Sequence, residues 1–214
     1  MKILEIQALS IPAVKVVRFA RFSDIRGYFT EPYRRSDFDA QLPFLKNSPI
    51  VQINESYSGT GVVRGLHFQW NPFMGKLVRT VHGRMVDLFL DIRQGSPTYG
   101  KAAAFALPSA PESTEATWIW VPPGFAHGNY FTEPSTIEYL CTGEYSPGCE
   151  AGISPVSPDI DWSLCDPALF AEFRALTAGA AVISDKDKAG LSLQAWSTDP
   201  QSSVFTYADL GAHG

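Results

Sequence analysis

At 214 residues, with 45% hydrophobic and 13% aromatic content, the chain can bury one sizeable core, and no shift in composition divides it. Residues 1–214 therefore read as a single domain. A formal net charge of -5 without a basic face argues against nucleic acid as a partner. The apolar start MKILEIQALSIPAVKVV is interrupted by Glu5, Gln7 and Pro12, and no later run reaches about eighteen apolar residues, so neither a signal peptide nor a membrane span is expected and the reading places the chain in the cytoplasm.

In chain order, short stretches rich in β-branched and aromatic residues, bounded by Gly, Pro, Asn or Ser, read as strands: Val14 to Phe19, Ile50 to Tyr57, Val62 to Phe68, Lys76 to Val81, Arg84 to Ile92, Ala102 to Leu107, Thr117 to Val121 and Thr136 to Thr142. Between the fourth and fifth, His82-Gly83 is suited to a tight hairpin, because Gly83 can take positive φ. Their number and spacing suggest a sandwich or barrel. Helix signals are few. Ser36 is placed to cap a short helix at Asp37 to Leu42, and Asp166-Pro167 is a stronger start, with a capping carboxylate ahead of a proline in the first turn. Leu176 to Ala181 reads as a loop, and Gln201 to Gly214 as a loosely held tail. Cys141, Cys149 and Cys165 match neither metal-type pairs nor a disulfide framework and read as free thiols.

Polar residues recur where strands would place them in a wall: Gln52, Asn54, Arg64, His67, Gln69, Lys76, His127, Tyr139 and Glu150. A barrel interior could gather them into one pocket, although each alone reads as a solvated or satisfied strand residue. Strict alternation over Val62 to Gln69 sends His67 to one face and Arg64 to the other. If both serve one site, Gly65 must mark a bulge or the strand must begin after it. A metal is not expected. The pair that would read His-x-His is His67-Phe68-Gln69, and His82 and His127 have no second histidine at ligand spacing. No Gly-x-Ser-x-Gly elbow, phosphate loop or dinucleotide fingerprint occurs, so no cofactor is expected either.

Eight ordered segments carry a resemblance. They are Asp24 to Glu31, Gln52 to Ser56, Gly61 to Gln69, Gly75 to Arg79, Asp87 with Asp91-Ile92-Arg93, Ser96 to Gly100, Pro122 to Gly128 and Ser184 to Asp187, spanning about residues 16–190. Their order and spacing resemble the dTDP-4-dehydrorhamnose 3,5-epimerases, a nucleotide-sugar branch of the cupin-like barrels, with residues 191–214 left as a C-terminal tail. The resemblance implies an all-β, cupin-like double-stranded β-helix, or jelly-roll barrel, with a few short helices, mainly C-terminal. It also implies a metal-free homodimer acting on a nucleotide-diphosphate sugar, most simply a dTDP-linked 4-keto-6-deoxyhexose, at C3, C5 or both.

The chemistry suits the residues present. A hydrogen beside a ketone is acidic because its carbanion is an enolate, so the site needs a base on one face, an acid on the other and a donor at the ketone oxygen. By resemblance His67 is the base, Asp187 orients it, Tyr139 delivers a proton from the opposite face and Lys76 stabilises the enolate oxygen. Arg26, Glu31, Gln52, Asn54, Arg64, His127, Glu150 and Lys186 match positions that contact the nucleotide sugar, while Asp24 and Asp87 read as structural. Two departures bear on substrate. Asn129-Tyr130 follows Ala-His-Gly where the family has phenylalanine, and Ser154-Pro155-Val156-Ser157-Pro158 replaces a Trp-Asn-Asp-Pro stretch. Two other readings stay open at this point: a metal-dependent cupin oxygenase or isomerase built on His67 and His127, and a nucleotide-sugar-binding module without catalysis.

Overall fold

The computed structural model describes residues 1–45 and 48–211. Strands run β1 Ile3–Ala8, β2 Lys15–Ala20, β3 Phe22–Asp24, β4 Gly27–Phe29, β5 Gln52–Ser58, β6 Val62–Gln69 and β7 Lys76–Asp91. They continue as β8 Ala102–Ser109, β9 Glu115–Val121, β10 Phe125–Phe131, β11 Ser135–Cys141, β12 Glu150–Gly152 and β13 Val182–Ile183. Helices are short: α1 Arg35–Gln41, α2 Pro167–Ala178, α3 Asp185–Lys188, α4 Leu193–Thr198 and α5 Tyr207–Leu210.

Two antiparallel sheets share one strand. In the first, β1 pairs β2, β2 pairs β9, and the front of β7 lies between β9 and β11, with β5 beyond β11. In the second, the rear of β7 lies between β8 and β10, β10 pairs β6, and β6 pairs β12 and, in parallel, β13. This is the jelly-roll arrangement expected.

The hairpin expected at His82-Gly83 is absent: β7 is one strand through that point. Gly83 does take positive φ, +83°, but uses it to carry the strand from one sheet into the other, and a Cβ there would lie 2.4 Å from the Ser135 Oγ and 2.5 Å from the Pro134 carbonyl oxygen.

Side-chain alternation builds two cores from one sheet. Val78, Ile119, Val121 and Ile137 point between the sheets against Val63, Val86, Leu88 and Phe131. Their neighbours Leu77, Trp118, Trp120 and Leu140 point outward and pack under α1 with Phe38, Leu42 and Leu45. Both faces of the rear of β9 are thus dry, which is why it reads as a continuous apolar run.

Asp166 caps α2 as expected, accepting from the backbone N–H of Ala168 at 2.8 Å and of Leu169 at 3.1 Å. Three expectations need correction. Ser36 lies inside the first turn of α1, whose N-cap is Arg34 with no capping side chain. The expected loop at Leu176 is helix as far as Ala178, with Gly179 as its C-cap. The supposed loose tail is held down: Phe205 and Leu210 are buried, and Phe205 packs edge-on against Phe68, Phe73 and Trp196. Burying those rings outweighs the polar composition around them. Ala212 to Gly214 of that segment lie outside the described residues.

Candidate active site

Between the two sheets lies a cavity of about 580 Å³, of small-ligand size. One wall comes from β6 and β10 of the second sheet. The other comes from β5, the front of β7 and β11 of the first.

On β6 the sequence puzzle is resolved by a bulge. His67 stands opposite His127 and Arg64 opposite Asn129, so three steps on β6 match two on β10. Gly65 sits within the extra step at φ +102°, and Arg64 and His67 both line the cavity. The chains touch here: a Cβ on Gly65 would lie 2.6 Å from the Gly128 Cα, and one on Gly128 would lie 2.3 Å from the Arg64 carbonyl oxygen.

Asp187 reaches His67 from far along the chain. β13 runs parallel to β6 and delivers Ser184, whose hydroxyl caps α3 by accepting from the Asp187 N–H at 3.1 Å. The Asp187 carboxylate then sits 2.6 Å from His67 Nε2 and accepts from the Gly65 N–H at 3.3 Å. Asp187 is buried and His67 half-buried. Burial pushes the His67 imidazole below its ordinary pKa, and the Asp187 hydrogen bond only partly offsets it. The ring is therefore neutral near pH 7. An Nε2–H donated to Asp187 leaves the lone pair on Nδ1.

On the facing wall Lys76 and Tyr139 project from neighbouring strands, the ammonium 6.0 Å from the phenol ring centre. Burial lowers the Lys76 ammonium and raises the Tyr139 phenol, so the phenol carries its proton at neutral pH. His127 shares the cavity and forms a second histidine–carboxylate pair, its Nε2 at 2.9 and 2.8 Å from the two Asp87 oxygens. Asp87, read as structural, is fully buried and fixes that imidazole. Burial raises its carboxyl pKa against the pull of His127.

The remaining expected contacts divide. Arg64 is braced by the Ser58 hydroxyl at 2.9 Å and the Tyr57 carbonyl at 3.1 Å, and Lys186 lines the mouth. Lys186 also pairs with Glu150 at 3.2 Å, and Glu150 accepts from the Tyr145 hydroxyl at 3.0 Å, bordering a smaller adjoining cavity. Gln52 and Asn54 are not in the cavity wall. They bond to each other at 3.0 Å on β5, on the face that places Ser56 in the wall. Gln69 is a brace, donating to the Pro72 and Glu144 carbonyls. Arg26 and Glu31 are elsewhere: Arg26 is 84% exposed on the β3–β4 hairpin, paired with Asp24, and Glu31 pairs with the N-terminus and Arg34. Among the described residues no three His, Cys, Asp or Glu side chains form a group that could hold a metal ion.

A carboxylate-held imidazole on one wall, with a phenol and an ammonium on the other, equips a barrel enzyme to move protons on and off carbon. Residues 8–195 match the family model described as dTDP-4-dehydrorhamnose 3,5-epimerase. The dTDP-4-dehydrorhamnose 3,5-epimerase of Sinorhizobium fredii is 40% identical over 190 residues, covering 87% of this chain and 88% of that one. The crystal structure of dTDP-6-deoxy-D-glucose-3,5-epimerase from Legionella pneumophila in complex with dTDP-4-keto-L-rhamnose superposes with a TM-score of 0.77 at 30% identity, covering 92% of this chain and 96% of that one. ChmJ, a 3'-monoepimerase from Streptomyces bikiniensis in complex with dTDP-quinovose, superposes with a TM-score of 0.76 at 25% identity, covering 94% and 93%. The chain belongs to the dTDP-4-dehydrorhamnose 3,5-epimerase family, and so to the isomerases that epimerise nucleotide-linked sugars.

Proposed function

We propose that this epimerase inverts C3, C5 or both of a dTDP-linked 4-keto-6-deoxyhexose. The observation that carries the reading is the His67–Asp187 pair at 2.6 Å on the wall opposite Tyr139. In this mechanism the neutral His67 takes the proton from the carbon beside the ketone, and Asp187 stabilises the imidazolium that forms. The ketone oxygen becomes an enolate oxygen, which the Lys76 ammonium stabilises in the half-buried wall. Tyr139 then gives its proton to the opposite face of the same carbon, so the centre returns inverted. Arg64 and Lys186 supply positive charge for the diphosphate, and His127, its Nε2 held by Asp87, accepts from a sugar hydroxyl. Gln52, Asn54 and Glu150 complete the shell at the cavity margin.

Arg26 and Glu31 fit the reading when they come from a second copy of the chain. The hairpin that carries Arg26 exposes Phe22, Ile25, Tyr28 and Phe29, with Ile25 104% exposed, an apolar patch suited to a partner surface. The working unit is then a homodimer of 214-residue epimerase domains. Its cysteines are unpaired, which fits the reducing cytoplasm.

Incubation with dTDP-4-keto-6-deoxyglucose in heavy water tests the proposal by mass. One deuteron gained marks one epimerised centre and two mark both. Tight binding without exchange would make the chain a sugar-nucleotide-binding module instead.

A further inference from the structure

Among the described residues that line the cavity, Asn129 is the one whose side chain holds a fully buried polar atom without a hydrogen-bond partner. Asn129 lines the cavity from β10, two residues beyond His127 and on the same face. It is 9% exposed, and its Oδ1 is buried without a hydrogen-bond partner. An amide oxygen left dry and unpaired costs about 1–3 kcal/mol. An apolar residue would avoid that cost. Its neighbours do not use it: Asp87, directly opposite on β7, is taken by His127, and Arg64, opposite on β6, is taken by Ser58 and Tyr57.

We infer that Asn129 is a specificity-determining residue whose amide binds a hydroxyl of the substrate's sugar ring. A hydroxyl can donate to the orphan Oδ1 while its own oxygen stays free to accept from another donor in the cavity. A cavity that must hydrogen-bond a hydroxyl discriminates strongly against a sugar lacking it, because the buried amide is then left unpaired. The assignment rests on the nucleotide-sugar reading. It adds that this epimerase selects a sugar hydroxylated at the position facing β10.

Calorimetric titration separates the two claims with two probes: thymidine diphosphate alone, and dTDP-6-deoxy-D-glucose, which bears ring hydroxyls and no ketone and so is not turned over. Asn129→Leu, of similar volume, is expected to raise Kd for the sugar nucleotide about tenfold while leaving that for thymidine diphosphate within about twofold. Asn129→Ser, which removes the amide without adding apolar bulk, is expected to reproduce the loss. Unchanged sugar-nucleotide affinity in both variants, or equal weakening of both probes, would overturn the assignment. A wild-type chain that bound neither probe would overturn the nucleotide-sugar reading, and this assignment with it.

Discussion

His67 is an unremarkable strand histidine until Asp187 is placed behind it, 120 positions along the chain and 2.6 Å away in space. Three titrating groups around the cavity set the expected pH dependence. Burial holds His67 below the ordinary histidine value of about 6.5, so the base is free near pH 7 and kcat/KM should fall only as pH drops below that value. On the alkaline side burial moves Lys76 down and Tyr139 up, and the limb is assigned to loss of the Lys76 proton, on which enolate stabilisation depends. Tyr139→Phe should slow turnover yet retain the alkaline limb; its disappearance would assign the limb to the phenol. Asp187→Asn should lower kcat about 10²-fold with little change in KM, because it removes orientation of the base and not contact with substrate.

At the scale of elements, the site depends on strand irregularity more than on strand regularity. The β6 bulge turns Arg64 and His67 to one cavity, and Gly65 and Gly128 let β6 and β10 approach closely enough to hold it. Gly65→Ala meets both a φ of +102° and a Cβ contact at 2.6 Å, so it should destabilise by about 3 kcal/mol or more and abolish deuterium exchange. Gly59→Ala, where nothing lies within 4 Å, is the control and should stay within about 0.5 kcal/mol of wild type. Thermal melts of the two variants measure the contrast. Of the two ways for Arg64 and His67 to share a site, a bulge at Gly65 or a strand beginning after it, the bulge is the one present. Sequence reading missed β10, because Gly128 interrupts an otherwise aromatic stretch, and the reason for that glycine lies on another strand. Asn129 could have been suspected from its departure at the motif, but not its lack of a partner.

For the whole molecule, the proposed homodimer places Arg26 and Glu31 at the partner's cavity. If a second copy supplies them, mixing two inactive variants, His67→Asn and Arg26→Ala, restores an intact site in each mixed dimer. After subunit exchange, about a quarter of all sites should be active, given that half the dimers are mixed. Activity that stays at the sum of the two separate variants would overturn the shared site. The sequence by itself determined the all-β class, because β-branched patterning is a local property that survives in one dimension, while the roles of His67, Tyr139, Lys76 and Asp187 rest on the ordered motifs that carry the resemblance. Only the tertiary structure decided that β7 crosses between sheets where a hairpin was expected, that the C-terminal segment packs through Phe205, and that Arg26 leaves its own cavity while Asn129 enters it unpaired. Each of these depends on contacts between residues far apart in the chain, where close packing and the pairing of buried polar groups override what the local composition favours.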